Sequence, residues 1–136
     1  MSLFVDTSVW SLAFRREPRS AAYEVQALIR AIEAGELVFT TGLVLQELLQ
    51  GFLGPKAEAQ ILNRFSAIPL IVPDRRDHIE AAALRNRCRR AGIQAGTIDA
   101  LLAQLCIRYD LTMLSADDDF RHIAGQCALK LWDAPS

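Results

Sequence analysis

The chain has 136 residues, a length that suits one domain over residues 1–136 and is short for two hydrophobic cores. Its net charge of −1 and pI near 6.1 lack the basic footprint that is typical of nucleic-acid-binding proteins. No apolar run approaches the roughly 20 residues that span a membrane. The three cysteines show no spacing that indicates disulfides or a thiolate metal site. Since the first residues do not resemble a signal peptide, we expect a cytoplasmic protein.

Short apolar segments alternate with helical patterns along the chain. The strands are predicted at 3–5, 37–40, 70–72, 111–114 and, as an edge strand, 129–132. The first helix is predicted to begin after residues 6–8, and the second to run from Ser20 to Gly35 with an apolar face of Ala22, Val25, Ile29 and Ile32. Five further helices are predicted: one at 43–52, one that ends at about 65, one from Asp74 or Asp77 to 90, one that begins at 97, and one at 120–124. This alternation predicts an α/β fold with a mainly parallel sheet that is covered on both faces.

Four acidic residues stand where strands and helices meet one edge of this sheet. Asp6 follows the first strand, and Glu47 lies about one turn into the helix after the second. Asp99 begins the helix that enters the fourth strand, and Asp117 follows that strand. Because ligands bind at the carboxyl edge of open α/β sheets, we expect these carboxylates to converge there.

An oxygen-only cluster of this kind favours a hard cation, Mg²⁺ or Mn²⁺. Such ions can activate water and stabilise the leaving oxygen in phosphodiester hydrolysis. Helix capping alone would explain Asp6, Asp99 or Asp117 taken singly, and a solvated helix flank would explain Glu47. The functional interpretation depends on their joint placement at one edge, whereas Asp110 lies at the opposite edge and is assigned a turn.

Four motifs resemble those of a known family in their order and separation. They are FVDTSVW at 4–10, LVLQELLQG at 43–51, TIDALLAQL at 97–105 and LTMLSADDDFRHI at 111–123. Together they resemble a PIN domain, and within that group the small VapC-type ribonuclease toxins of toxin–antitoxin pairs. The resemblance covers essentially the whole chain and implies a three-layer α/β/α sandwich with a short, mainly parallel sheet of four to five strands.

The resemblance also implies roles for individual residues. Asp6, Glu47, Asp99 and Asp117 match the family's acidic metal-site residues, and these are the expected catalytic residues. Asp119 matches a supporting acid, and Ser8 or Thr7 matches the hydroxyl beside the first acid. Asp118 departs from the family pattern, which leaves open whether Asp118 or Asp119 supports Asp117.

The implied function is a Mg²⁺- or Mn²⁺-dependent endoribonuclease that cuts tRNA, rRNA or mRNA and thereby inhibits translation. The implied partners are a second copy in a homodimer and a small antitoxin that covers the acidic pocket and carries any DNA binding. Arg15, Arg16 and Arg19 are the expected RNA contacts, because their loop follows the helix that Asp6 opens. Two alternatives stay open at this point, a receiver-type phospho-accepting signalling domain and a non-catalytic module that binds RNA or a partner.

Overall fold

A computed structural model describes residues 2–15 and 22–135. Over these ranges the strands are β1 (Leu3–Val5), β2 (Val38–Thr41), β3 (Leu70–Ile71), β4 (Thr112–Leu114) and β5 (Lys130–Leu131). The helices are α1 (Thr7–Phe14), α2 (Tyr23–Glu33), α3 (Gly42–Gly51), α4 (Pro55–Phe65), α5 (Arg75–Arg90), α6 (Thr97–Tyr109) and α7 (Asp119–Ala124). The predicted elements are therefore present, with ends that differ from the prediction by a few residues.

The strands form one parallel sheet in the order β3-β2-β1-β4-β5. The chain thus moves outward from β1 to β3 and then crosses to β4 and β5 on the other side of β1. Because such crossovers are right-handed, α1–α4 cover one face of the sheet and α5–α7 cover the other. The contacts agree, since α1 packs on α2 and α3, α3 on α4, and α6 on both α5 and α7. The predicted α/β/α sandwich with a mainly parallel sheet of four to five strands is confirmed, and the sheet has five strands, all parallel.

The core is built on the two central strands. Every residue of β1 is buried, as are Met113 and Leu114 of β4. Trp10 packs against the ring of Phe65 at 4.8 Å between centroids and donates its indole N–H to the Val5 carbonyl at 3.2 Å. A strand that is buried on both faces reads as an uninterrupted apolar run, which is why β1 was recognisable in the sequence. β4 is apolar apart from the half-buried Thr112.

The apolar face predicted for α2 is wrong in part. Val25, Leu28 and Ala31 are buried, whereas Ile29 is 46% exposed and Ile32 is 37% exposed. Both sets of residues recur at helical spacing, so periodicity alone cannot choose between two stripes that are offset around the helix. The predicted cap Ser20 lies outside the described residues, and α2 begins at Tyr23.

A polar network orders the helix pair α5 and α6. Asp74 caps α5 in a capping box with the buried Asp77, which confirms the predicted cap. Arg108 donates from Nη1 to Asp77 at 2.7 Å and to Asp74 at 3.0 Å. Since Arg108 lies near the end of α6 and Asp77 near the start of α5, the two helices run antiparallel.

None of the described helices is both long and apolar enough to cross a membrane.

Candidate metal centre

The centre of the sheet contains a topological switch point. β1 and β4 are neighbours, but the chain leaves β1 toward β2 on one side and leaves β4 toward β5 on the other. In open α/β sheets the crevice for ligands opens outside the carboxyl ends of such strands. Asp6 follows β1 directly, and the acidic segment 115–119 follows β4.

Asp6 is buried and held in place by hydroxyl and backbone donors. Its Oδ1 accepts from the Ser8 hydroxyl at 2.6 Å and from the amides of Ser8 and Val9 at 3.1 and 3.4 Å. Its Oδ2 accepts from the Ser115 hydroxyl at 2.8 Å. Asp6 is therefore the N-cap of α1 and also a link between the ends of β1 and β4.

Three aspartates converge beside Asp6. The side chains of Asp99, Asp117 and Asp119 each offer a carboxylate oxygen, and these oxygens all lie within 4.8 Å of one another. Asp99 is half-buried in the first turn of α6, whereas Asp117 and Asp119 are exposed in the segment after β4. We call these residues the three-aspartate cluster. Two segments that are distant in sequence supply it, and the position of α6 against β4 brings them together.

The acidic segment after β4 has a fixed turn. The Asp117 amide donates to the Ser115 hydroxyl oxygen at 2.9 Å, and the Asp119 amide donates to Asp117 Oδ1 at 2.9 Å. These bonds direct Asp117 and Asp119 toward Asp99. Asp118 lies outside the cluster and forms an exposed ion pair with Arg121 at 3.4 Å. In this structure Asp119, not Asp118, therefore lies beside Asp117.

Glu47 reaches the same edge of the sheet from α3. It is exposed, and its Oε1 accepts from the Thr7 hydroxyl at 2.6 Å. Neither Glu47 nor Asp6 belongs to the three-aspartate cluster. Both are close enough for their charges to raise the pKa of Asp99. The predicted acids thus share one edge, although they do not form one group of touching carboxylates.

Burial and like charge make this edge unfavourable for unneutralised carboxylates. Burial, followed by the charges of Asp117, Asp119, Asp6 and Glu47, raises the pKa of Asp99 from 3.8 to about 6. The pKa of Asp6 is raised mainly by burial, and hydrogen bonds from Ser8 and Ser115 oppose that shift. A bound cation would relieve this repulsion.

The donor set fits a hard divalent ion. It consists of carboxylate oxygens, with no His or Cys in the cluster that the described residues form. Carboxylate oxygen is the ligand that Mg²⁺ and Mn²⁺ prefer, whereas zinc and copper favour nitrogen or sulfur. Within the described residues, the three-aspartate cluster is therefore suited to hold a metal ion.

Ser115 has a positioning contact that the sequence analysis did not identify. It bridges Asp6 and the Asp117 amide, as Ser8 bridges Asp6 and the Ala116 amide at 2.9 Å. The sequence contained a signal for this contact, because Ser115 comes immediately after β4 in the same way that Thr7 and Ser8 come shortly after β1. Both hydroxyl residues considered beside the first acid are used, because Thr7 bonds Glu47 and Ser8 bonds Asp6.

The arginines predicted to contact RNA are only partly described. Arg15 is exposed and follows the last residue of α1. Since α1 begins directly after its N-cap Asp6 and has eight residues, Arg15 lies about 12 Å along the helix from the acidic edge. Arg16 and Arg19 lie outside the described residues. Their contact with RNA stays a prediction.

Comparison with known proteins gives concordant results. The family model described as "PIN domain" matches residues 3–126. The chain is 32% identical over 124 residues to the VapC ribonuclease Mb1587 of Mycobacterium bovis and to the ribonuclease VapC11 of Mycobacterium tuberculosis. In each case the match covers 90% of this chain and 91% of the relative.

Solved structures share the fold. VapBC-5 of Mycobacterium tuberculosis, a member of the VapBC family of toxin–antitoxin systems, superposes with a TM-score of 0.68 at 21% identity, covering 98% of this chain and 100% of that one. VapC20 of the same organism, a toxin that cleaves the sarcin–ricin loop, gives a TM-score of 0.68 at 19% identity, covering 95% and 99%. The matched domain and the similarity to VapC ribonucleases show that this chain belongs to the PIN domain family.

Proposed function

We propose that this protein is a metal-dependent endoribonuclease that hydrolyses RNA phosphodiester bonds with Mg²⁺ or Mn²⁺. The observation that carries the proposal is the convergence of Asp99, Asp117 and Asp119 at the switch point of the sheet, beside the buried Asp6. The relatives named VapC ribonuclease support the same chemistry, because they match over nine-tenths of the chain.

Each acidic residue has a role in this proposal. Asp99, Asp117 and Asp119 would hold the ion through their converging oxygens, and Asp6 beside them would be a further ligand. A divalent ion bound there would activate water as the nucleophile and neutralise the charge that develops on the phosphate. Glu47 would complete the site or orient the attacking water, and its hydrogen bond from Thr7 limits where its carboxylate can lie.

The hydroxyl residues position these acids. Ser8 and Ser115 donate to opposite oxygens of Asp6, so its carboxylate plane is fixed against β1 and β4. Ser115 also accepts from the Asp117 amide and thereby fixes the start of the acidic segment. A site whose ligands are held in advance loses less entropy when the reactants bind.

The biological setting is part of the proposal. The enzyme would be the cytoplasmic toxin of a type II toxin–antitoxin pair, acting on tRNA, rRNA or mRNA to inhibit translation. Its partners would be a small antitoxin that covers the acidic edge and a second copy in a homodimer, and DNA would be contacted through the antitoxin. The solved VapBC relative of the toxin–antitoxin class is consistent with this setting.

The receiver-type alternative has little support in the geometry. Lys130, the lysine in β5, pairs with Asp110 at 2.6 Å. Asp110 ends α6 before β4, so this pair lies at the edge of the sheet opposite the acids. Asp74, the acid that follows β3, is occupied as a helix cap and as a partner of Arg108. The lysine that a receiver needs therefore lies at the opposite edge of the sheet, and the candidate acceptor aspartate is bonded to the α5 backbone and to Arg108.

The test is an end-labelled digest of total RNA with the purified chain in Mg²⁺, in Mn²⁺ and in chelator. We expect discrete cleavage with either metal and none with chelator. Asp6→Asn and Asp117→Asn should abolish cleavage and leave the far-ultraviolet circular dichroism spectrum unchanged. The matched control is Asp110→Asn, since Asp110 has a left-handed backbone with φ 55° that Asn also accepts.

Two results would contradict the proposal. Undiminished cleavage by both site variants would remove the acidic edge from the chemistry. Metal binding and RNA binding without any cleavage would instead support the non-catalytic module.

A further inference from the structure

The end of α5 carries a concentration of arginine. Arg85, Arg87, Arg89 and Arg90 lie within its last six residues. Because α5 and α6 run antiparallel, this end of α5 lies beside the start of α6, where Asp99 is found. We call these four residues the α5 arginine end. It places positive charge next to an edge that is strongly acidic.

Two of these arginines are bonded to segments that flank the site. Arg85 donates from Nε to the Ala95 carbonyl at 2.8 Å, just before α6 begins. Arg87 donates from Nη1 to the Gln126 carbonyl at 2.9 Å, just after α7 ends. Each bond uses one of the five N–H donors of a guanidinium group. The remaining donors stay available to an anion.

The other two arginines have no such bond. Arg89 and Arg90 are exposed, and neither side chain forms a hydrogen bond or ion pair with the described part of the chain. By contrast, Arg76 at the start of α5 is paired with Glu80 at 2.9 Å. Arg75 is also exposed and its side chain forms no hydrogen bond or ion pair with the described residues. The end of α5 beside the acidic edge therefore has two unpaired guanidinium groups, and the opposite end has one.

The carboxylates at this edge repel the phosphates of RNA, and positive groups on the protein would offset that repulsion. A metal ion would neutralise the carboxylates that hold it, but the phosphates on either side of the cleaved bond would still meet exposed acidic residues outside the cluster, such as Asp118. Arginine binds phosphate oxygens in a bidentate manner and keeps its charge at all ordinary pH values. We propose that the α5 arginine end contacts the RNA backbone beside the scissile phosphate, an inference that rests on the proposed ribonuclease function.

A second explanation exists for arginines at this position. Cations in the last turn of a helix stabilise it by interacting with the helix dipole and the terminal carbonyls. That role affects the stability of the protein and does not alter how RNA binding depends on salt. The two explanations therefore separate in a binding experiment.

The experiment compares two double variants of the full chain. Arg89→Gln with Arg90→Gln removes two charges from the α5 arginine end. Arg75→Gln with Arg76→Gln removes two charges from the opposite end of the same helix. Binding of a fluorescently labelled single-stranded RNA is measured by anisotropy in chelator, where cleavage does not interfere, at several salt concentrations. The specificity constant for cleavage is then measured in Mg²⁺.

We expect the Arg89/Arg90 variant to bind about 10-fold more weakly at low salt. The slope of log affinity against log salt should fall by about 1.4, since each lost contact to a single strand contributes about 0.7. Its kcat/KM should fall by a similar factor, mainly through KM. The Arg75/Arg76 variant should keep the wild-type slope.

Equal losses in both variants would show a general charge effect, and a loss of thermal stability with unchanged RNA affinity would support the helix-dipole role. Either result would overturn the inference. If the wild type binds RNA through these residues but never cleaves it, the proposed function fails and the contact stands. If the wild type cleaves RNA and the Arg89/Arg90 variant is unaffected, the contact alone fails.

Discussion

Replacing Asp99 by Asn should stabilise the metal-free protein while removing its activity. Asp99 is half-buried within reach of four other carboxylates, and burial together with those charges raises its pKa from 3.8 to about 6. Asn has nearly the same shape but no charge. The substitution should therefore remove the repulsion from the folded state without leaving a cavity.

The size of the effect follows from the pKa. Raising the pKa of Asp99 from 3.8 to about 6 corresponds to roughly 3 kcal/mol of unfavourable free energy in the folded state when Asp99 is ionised. Because Asp99 is only half-buried, solvent screening reduces this to about 1–2 kcal/mol. The cost is absent below pH 3.8, where both states are protonated, and it develops between 3.8 and about 6. Above that range it is constant.

The assay is urea unfolding in chelator at pH 4.5 and at pH 7.5. We expect Asp99→Asn to unfold with a free energy about 1–2 kcal/mol above the wild type at pH 7.5, which corresponds to roughly 3–8 °C in Tm. The gain should shrink at pH 4.5. The control is Asp118→Asn, which removes a neighbouring exposed charge outside the cluster and should change stability by less than about 0.5 kcal/mol. A variant that is destabilised at pH 7.5, or a gain that is the same at both pH values, would refute the repulsion argument.

Two further predictions concern residues that support the site and the scaffold. Ser115→Ala removes the hydroxyl that donates to Asp6 and accepts from the Asp117 amide. The rate of cleavage should therefore fall about 10-fold to 100-fold, and half-maximal activity should need more Mg²⁺. Ser115→Thr should restore the activity, and a metal titration curve unchanged by Ser115→Ala would contradict a positioning role. Asp77→Ala removes a fully buried carboxylate that binds Arg108 and completes the capping box, and it should cost about 1–3 kcal/mol in urea unfolding. Its cleavage rate per folded molecule should stay at the wild-type level, and a selective loss of activity would show that α5 is coupled to the chemistry.

Local patterns in the sequence were enough to predict the elements and their order. β1 reads as a short apolar run because both of its faces are buried, β4 is apolar apart from Thr112, and α5 could be recognised from its Asp cap and its arginines. The rule that parallel strands share a carboxyl edge then predicted that Asp6, Glu47, Asp99 and Asp117 would gather. The structure places all four at that edge.

Other features depend on how the elements pack. Periodicity allowed two apolar stripes on α2, and the sheet selected the one with Leu28 while leaving Ile29 exposed. The sequence could not decide between Asp118 and Asp119, because the choice depends on the turn that the Ser115 and Asp117 side chains fix after β4.

The sequence by itself determined the α/β order of the chain and identified the candidate acidic residues. Strand and helix signals depend on neighbouring residues, and a helix cap depends on one or two side chains. The tertiary structure alone decided which carboxylates meet, how Ser8 and Ser115 hold Asp6, and which end of α5 lies beside the site. Those contacts join residues up to 109 positions apart, and only the packing of helices against the sheet sets their distances.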